Sequence, residues 1–150
     1  MADIACDTTF LIDLQYSTRS RAGVAARDFL HVHARDRLFL SVIALGEFAA
    51  SFADERDQKF VETVRHFVIL GVDDSVAMVY RTLFRTLQVA GQLIGANDLW
   101  IAATAIHHEL PLVTSNKTGF SAFVSLLCEW SLLPSLPSFT VRLSSGRWLL

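Results

Sequence analysis

Short apolar runs alternate with longer amphipathic stretches along the whole chain. "DIACD" at 3–7 is the first such run and predicts a strand. "TTFLIDLQY" follows at once, with Thr8 or Thr9 as the expected cap of a short helix and Asp7 as a rival cap. In "TRSRAGVAARDFLHVHARD", Val24, Phe29 and Val32 recur at near-helical spacing and predict an amphipathic helix. "RLFLSV" predicts the second strand. Two helices are expected within 41–67, the first capped by Ser41. "FVILGVDDS" predicts a third strand, with Asp73 or Asp74 capping the helix "SVAMVYRTLFRTLQVAG" and Gly91 stopping it. "ANDLWIAATAIHHEL" predicts a further helix capped by Asn97. "LVTS" predicts a fourth strand, "TGFSAFVSLLCEW" a helix, "PSLPS" a linker and "FTVRL" a last short strand.

Strands that are short and apolar on both faces, alternating with helices, belong to a parallel sheet covered on both sides. The expected fold is a three-layer α/β/α domain with a small, mostly parallel central sheet. "LFLSV" and "FVILGV" are expected in its core. The 150 residues suit one domain with one core. With 52% hydrophobic and 19% charged residues, a disordered chain is excluded. A net charge of −2 neither advertises nor excludes a nucleic-acid partner. Cys6 and Cys128 lie far apart in apolar runs, so buried free thiols are expected rather than a zinc site. The N-terminal residues lack a secretory pattern, and no apolar run approaches the ~20 residues that span a bilayer. A cytoplasmic protein with no membrane partner is expected.

In such folds ligands bind beyond the carboxyl ends of the strands. Asp7 ends the first strand, Glu47 lies early in the helix after the second, Asp98 lies in the first turn of its helix, and Asn116 follows the fourth strand. All four can reach one cleft. Two like charges ~4 Å apart at an effective dielectric of ~20 cost about 4 kcal/mol. Such a cluster needs a cation, a shared proton or a basic partner. Hard oxygen donors suit Mg²⁺ or Mn²⁺. Each residue also has a plainer reading: Asp98 as a dipole-favoured first-turn acid, Asp7 as a cap, Asn116 as a turn residue. Glu47 resists one, because its neighbours Leu45, Phe48 and Ala49 are apolar. Asp13, Asp73 and Asp74 read as caps or surface residues, and the five histidines as surface groups.

Four segments carry a resemblance. "DTTFLIDL", "SVIALGEF", "GQLIGANDLWIAATAIHHELPLVTSN" and "TSNKTGF" occur in order over residues 4–120. They resemble the four motifs of the PIN-domain ribonucleases, and among these the VapC-like toxins of toxin–antitoxin modules. The resemblance implies a PIN-like fold over a single domain, 1–150, and a metal-dependent endoribonuclease. It implies Asp7, Glu47 and Asp98 as catalytic carboxylates binding Mg²⁺ or Mn²⁺, with Asn116 auxiliary. It also implies an RNA substrate, a cognate antitoxin and a homodimer. Thr8, Thr9, Thr114 and Lys117 are candidates to orient substrate or water, and Arg19, Arg21, Arg27, Arg35 and Arg37 to meet RNA phosphates. The chain departs from the pattern in two places. Gly119 stands where many relatives carry an acid, and the tail at 121–150 is long and apolar. Gly119 and the tail together motivate the alternative of a catalytically weakened RNA- or protein-binding module. A receiver-like acidic pocket around "VDD" is a weaker rival, and no glycine-rich phosphate loop is present.

Overall fold

A computed structural model describes residues 1–16, 20–116, 119–120 and, for the backbone, 141–143. The elements run β1 (Asp3–Cys6), α1 (Thr8–Gln15), α2 (Arg21–Val32), β2 (Arg37–Ser41), α3 (Val42–Ala49), α4 (Gln58–Val64), β3 (Phe67–Leu70), α5 (Asp74–Val89), α6 (Ala96–His107), β4 (Leu112–Thr114) and β5 (Val141–Leu143). One sheet orders the strands β3-β2-β1-β4-β5. All four pairings are parallel. The right-handed rule for parallel crossovers then puts α1–α4 on one face and α5–α6 on the other. Chain order reverses direction between β1 and β4. That reversal opens a crevice at their carboxyl ends, where Asp7 and Thr114 lie. Asp7 N–H donates to Val113 O at 3.1 Å and ties the two strand ends together.

The alanine-rich helix α6 is buried nearly all round, from Leu99 and Ile101 through Ile106. A helix without a polar stripe belongs in a core, and its alanines let neighbouring elements approach closely. Phe10, Leu40, Phe48, Leu99, Leu112 and Phe120 complete the interior. Helix α5 ends as expected at Gly91, which adopts φ +67. Gln92 N–H reaches Leu87 O at 2.9 Å and Gly91 N–H reaches Gln88 O at 3.1 Å, the paired bonds of a Schellman stop. Ser41 and Asp73 cap α3 and α5 as predicted.

Several expectations change. Asp7, not Thr8 or Thr9, caps α1 and accepts from Phe10 N–H. Gly95, not Asn97, begins α6 and offers no side-chain cap. On α2 the inward face is Gly23, Ala26 and Phe29, while Val24 and Val32 are exposed. Small residues at spacing three let α2 approach closely on that face, a pattern that large apolar residues alone do not reveal. Edge strand β3 exposes Val68 (51%) and Ile69 (38%), so "FVILGV" is only partly core. His33 is half-buried, with Nδ1 2.5 Å from Asp36 Oδ2, not a free surface group. Asp13 is likewise no simple surface residue: its Oδ2 is buried without a hydrogen-bond partner. Cys6 is a buried free thiol, and burial pushes its pKa up. Cys128, Lys117, Arg19, the helix expected at 118–130 beyond its first described residues, and nearly all of the tail lie outside the described residues. Among the described residues no helix is long and apolar enough to cross a membrane.

Candidate functional site

Each acidic side chain reaches the crevice by a different route. Asp7 is the first residue after β1, and its carboxylate turns inward because it caps α1. Glu47 rides on the second turn of α3, which starts directly from β2. Asp98 occupies the first turn of α6, where the helix dipole favours a negative charge. Gly95 lies close beside it, and a Cβ there would make an ordinary contact, 3.6 Å, with Asp98 Oδ2.

Asp7 is buried, and its carboxylate sits in a web of donors. Phe10 N–H donates to Oδ1 at 2.9 Å. Thr9 Oγ1 lies 2.9 Å from both oxygens. The Thr114 hydroxyl donates to Oδ2. The hydroxyls are themselves oriented: Ser115 N–H donates to Thr9 Oγ1 at 3.1 Å, and Asn116 N–H to Thr114 Oγ1 at 2.9 Å. Each hydroxyl accepts one backbone N–H, and its own proton is directed at Asp7. Three protons thus serve a carboxylate with about four acceptor positions, leaving room for one further electropositive partner. Desolvation outweighs these bonds. Burial, with a smaller contribution from the charge of Asp98, pushes the Asp7 pKa from 3.8 to about 6 against the lowering by Thr114, Phe10 and Thr9. Asp98 is also raised, first by desolvation and then by the charge of Glu47. Asp98 therefore lies within electrostatic reach of both Asp7 and Glu47.

Glu47 is half-buried yet not orphaned. Thr8 donates its hydroxyl to Oε2, and Asn97 Nδ2 donates to Oε1 at 2.6 Å. The partners are neutral, so its negative charge stays uncompensated. Thr8 and Thr114, expected to orient substrate, instead have their protons committed to carboxylates. Asn116 is engaged too: its Oδ1 accepts from Gly119 N–H at 2.9 Å. A Cβ on residue 119 would lie 2.5 Å from Asn116 Nδ2, so the Asn116 amide fills the space a side chain at 119 would need. Among the described residues, no three acidic, histidine or cysteine side chains close into a ready-made metal cage. Mg²⁺ does not require one, because it keeps several waters and takes only one or two carboxylates.

Arg37 does not stand with the acids at this edge. Arg37 begins β2, at the opposite end of the sheet, and pairs with Asp3 through Nε at 2.7 Å. Arg27 lines a cavity of about 310 Å³ with Leu14, Leu30, Lys59 and His66. Strand polarity, invisible in a list of charges, separates Arg37 from the acids. Thr9 and Asn97 have larger parts here than the sequence suggested. The signal for Asn97 was its place beside Asp98, on the same turn of α6.

Removing one oriented donor tests the web. Replacing Thr114 by Val should leave the carboxylate less stabilised and raise the Asp7 pKa above 6 by about one unit. Carboxyl ¹³C NMR titration of the metal-free protein reads this directly, and an unchanged pKa would show that the hydroxyl bond contributes little.

Comparison with known proteins adds family context. The family model described as PIN domain matches residues 4–124. "Ribonuclease VapC5" of Mycobacterium tuberculosis is 35% identical over 88 residues, covering 54% of this chain and 65% of that protein. The chain spans less than two thirds of the length of the curated relatives it matches at 30% identity or above. Among solved structures, VapBC2 from Rickettsia felis bound to a promoter DNA fragment superposes with a TM-score of 0.71 at 20% identity, covering 94% of this chain and 98% of that one. That likeness bears on the fold alone. VapBC-5 from Mycobacterium tuberculosis, a member of the VapBC family of toxin–antitoxin systems, gives a TM-score of 0.59 at 25% identity over 95% of this chain and 98% of that one.

Proposed function

The chain belongs to the PIN domain family, and on that premise we propose that it is a divalent-metal-dependent endoribonuclease acting as the toxin of a toxin–antitoxin module. The observation that carries this reading is the convergence of three acids at the carboxyl edge of a parallel sheet: Asp7 caps α1, Thr8 of α1 bonds Glu47, and Asn97 beside Asp98 bonds the same Glu47. Burial disfavours the charged forms of Asp7 and Asp98, and a cation among the three acids would offset that cost. The donor set is all hard oxygen, which fits Mg²⁺ or Mn²⁺. Asp7, Glu47 and Asp98 are the residues that would hold the ion, with the free lone pair of Asn116 Oδ1 auxiliary. Bound there, a divalent ion supplies Lewis acidity toward a phosphodiester and lowers the pKa of water. The protein's own part is positioning. Thr9 and Thr114 keep the Asp7 carboxylate fixed through oriented hydroxyls. Helix α6 brings Asp98 in on its positive end. The similarity to VapC ribonucleases supports RNA as substrate, and the similarity to VapBC complexes supports a separate antitoxin chain as partner. A homodimer and a cytoplasmic location extend the same reading.

A second reading, a weakened binding module, is favoured by one observation: the fourth position offers only the Asn116 amide, already bonded to Gly119. A cleavage assay separates the two. Purified, antitoxin-free protein is incubated with a panel of tRNA, rRNA and mRNA in Mg²⁺ or Mn²⁺, beside an EDTA control and an Asp98→Asn protein prepared identically. The nuclease reading expects cleavage that vanishes in both controls, by at least about 100-fold in the variant. Folded wild type that binds RNA without cutting it would instead establish the binding module.

A further inference from the structure

Asp98 is not the only residue that the first turn of α6 presents to the site. Its neighbour Asn97 is exposed, and its amide nevertheless makes one short directed bond, Nδ2 to Glu47 Oε1 at 2.6 Å, across fifty positions of sequence. Thr8 holds the other oxygen, Oε2, from α1. Glu47 is thus gripped between the starts of two helices. Each of its oxygens accepts one proton, and about two of its four acceptor positions stay open. We propose that Asn97 is a positioning residue: its neutral amide fixes the Glu47 carboxylate for a divalent cation while leaving the full negative charge available. This inference rests on the metal-site reading above.

The chemistry explains the residue type. A lysine at 97 would also bond Glu47, but it would supply a permanent counter-charge and compete with the ion. An alanine would leave the flexible Glu47 side chain held from one side only, so ordering it would fall to the ion. Partners that orient metal ligands commonly carry a 10–100-fold effect on affinity. A mere tie between α3 and α6 makes a different demand. It would matter to folding stability and would be served as well by a lysine as by an amide.

The experiment measures Mn²⁺ affinity of RNA-free protein by electron paramagnetic resonance, for wild type, Asn97→Ala, Asn97→Lys and Asp98→Asn. Far-UV circular dichroism checks the fold. Residue 97 is exposed and alanine is a strong helix former, so Asn97→Ala should fold normally. The expected result is a 10–100-fold weaker affinity in Asn97→Ala and an equal or greater loss in Asn97→Lys. If Asp98→Asn loses Mn²⁺ but Asn97→Ala stays within about twofold of wild type, or Asn97→Lys binds more tightly than Asn97→Ala, the positioning role is overturned and the metal site stands. If wild type binds no Mn²⁺, or Asp98→Asn binds it as wild type does, the metal-site reading fails and this inference fails with it.

Discussion

Asp7→Asn is expected to make the metal-free protein more stable at pH 7.5 and to abolish the proposed RNA cleavage. The folded-state pKa of Asp7 is raised, from 3.8 to about 6. A group raised on folding binds its proton more tightly in the folded state. Its favourable contribution is complete below about pH 4 and is lost as the pH climbs through 6. A shift of that size corresponds to about 3 kcal/mol at neutral pH, an upper limit for the gain from a neutral side chain. Asparagine also caps helices well, so the bond from Phe10 N–H survives. Against this, the amide must place its own N–H group beside hydroxyls that already donate, which reduces the gain. Thermal unfolding in EDTA, followed from pH 4 to 8, should show wild-type stability falling across pH 4–6 and the variant losing most of that slope. Added Mn²⁺ should raise the wild-type midpoint and leave the variant unmoved. A variant less stable than wild type at pH 7.5 in EDTA would contradict the assignment of Asp7 as a strained, uncompensated carboxylate.

The second large effect belongs to the core beneath Glu47. Phe48 is fully buried, with ring centroids 5.1 Å from Phe52 and 5.8 Å from Phe60. These contacts anchor α3 to the loop that follows it and to α4. Truncation to alanine removes the ring from a fully buried position and leaves a cavity beside Phe52 and Phe60. The expected cost is about 3–5 kcal/mol, read as a drop in the urea midpoint at unchanged slope. Val42→Ala, exposed on the same helix, should change stability by no more than about 0.5 kcal/mol. Because Glu47 precedes Phe48, a loosened α3 also blurs the carboxylate's position, so Mn²⁺ affinity should fall in the variant even where it remains folded. A loss near that of Val42→Ala would mean that the aromatic cluster is dispensable.

These two residues illustrate what was legible in the chain. Asp7 stood out because a carboxylate directly after an apolar strand is unusual unless a cap or a ligand is needed, and it proves to be a cap whose charge is also uncompensated. Phe48 stood among apolar neighbours at helical spacing. The alternation of short apolar runs with amphipathic stretches was enough for a parallel α/β sheet, since strands lacking a polar face must be covered twice. Ser41, Asp73 and Gly91 could be placed from local chemistry alone, because caps and stops act within one turn.

Other features depended on residues far apart in sequence. The inward face of α2 was misread because Gly23 and Ala26 bury little surface and draw their importance from close packing. The exposure of Val68 and Ile69 followed from β3 falling at the sheet edge, and strand order is not a local property. The arginines looked like neighbours of the acidic site, but parallel polarity sends Arg37 to the opposite end. The sequence by itself determined the strand–helix alternation, the caps at Ser41 and Asp73, the stop at Gly91 and the acids that follow strand ends, because periodicity and capping are decided within a few residues. Only the tertiary structure decided that Thr114 and Thr9 serve Asp7 and that Asn97 and Thr8 grip Glu47. Those partnerships exist because β1 and β4 are adjacent at the reversal of strand order and the starts of α1 and α6 flank α3, and no local pattern encodes which distant residue will stand within hydrogen-bonding reach.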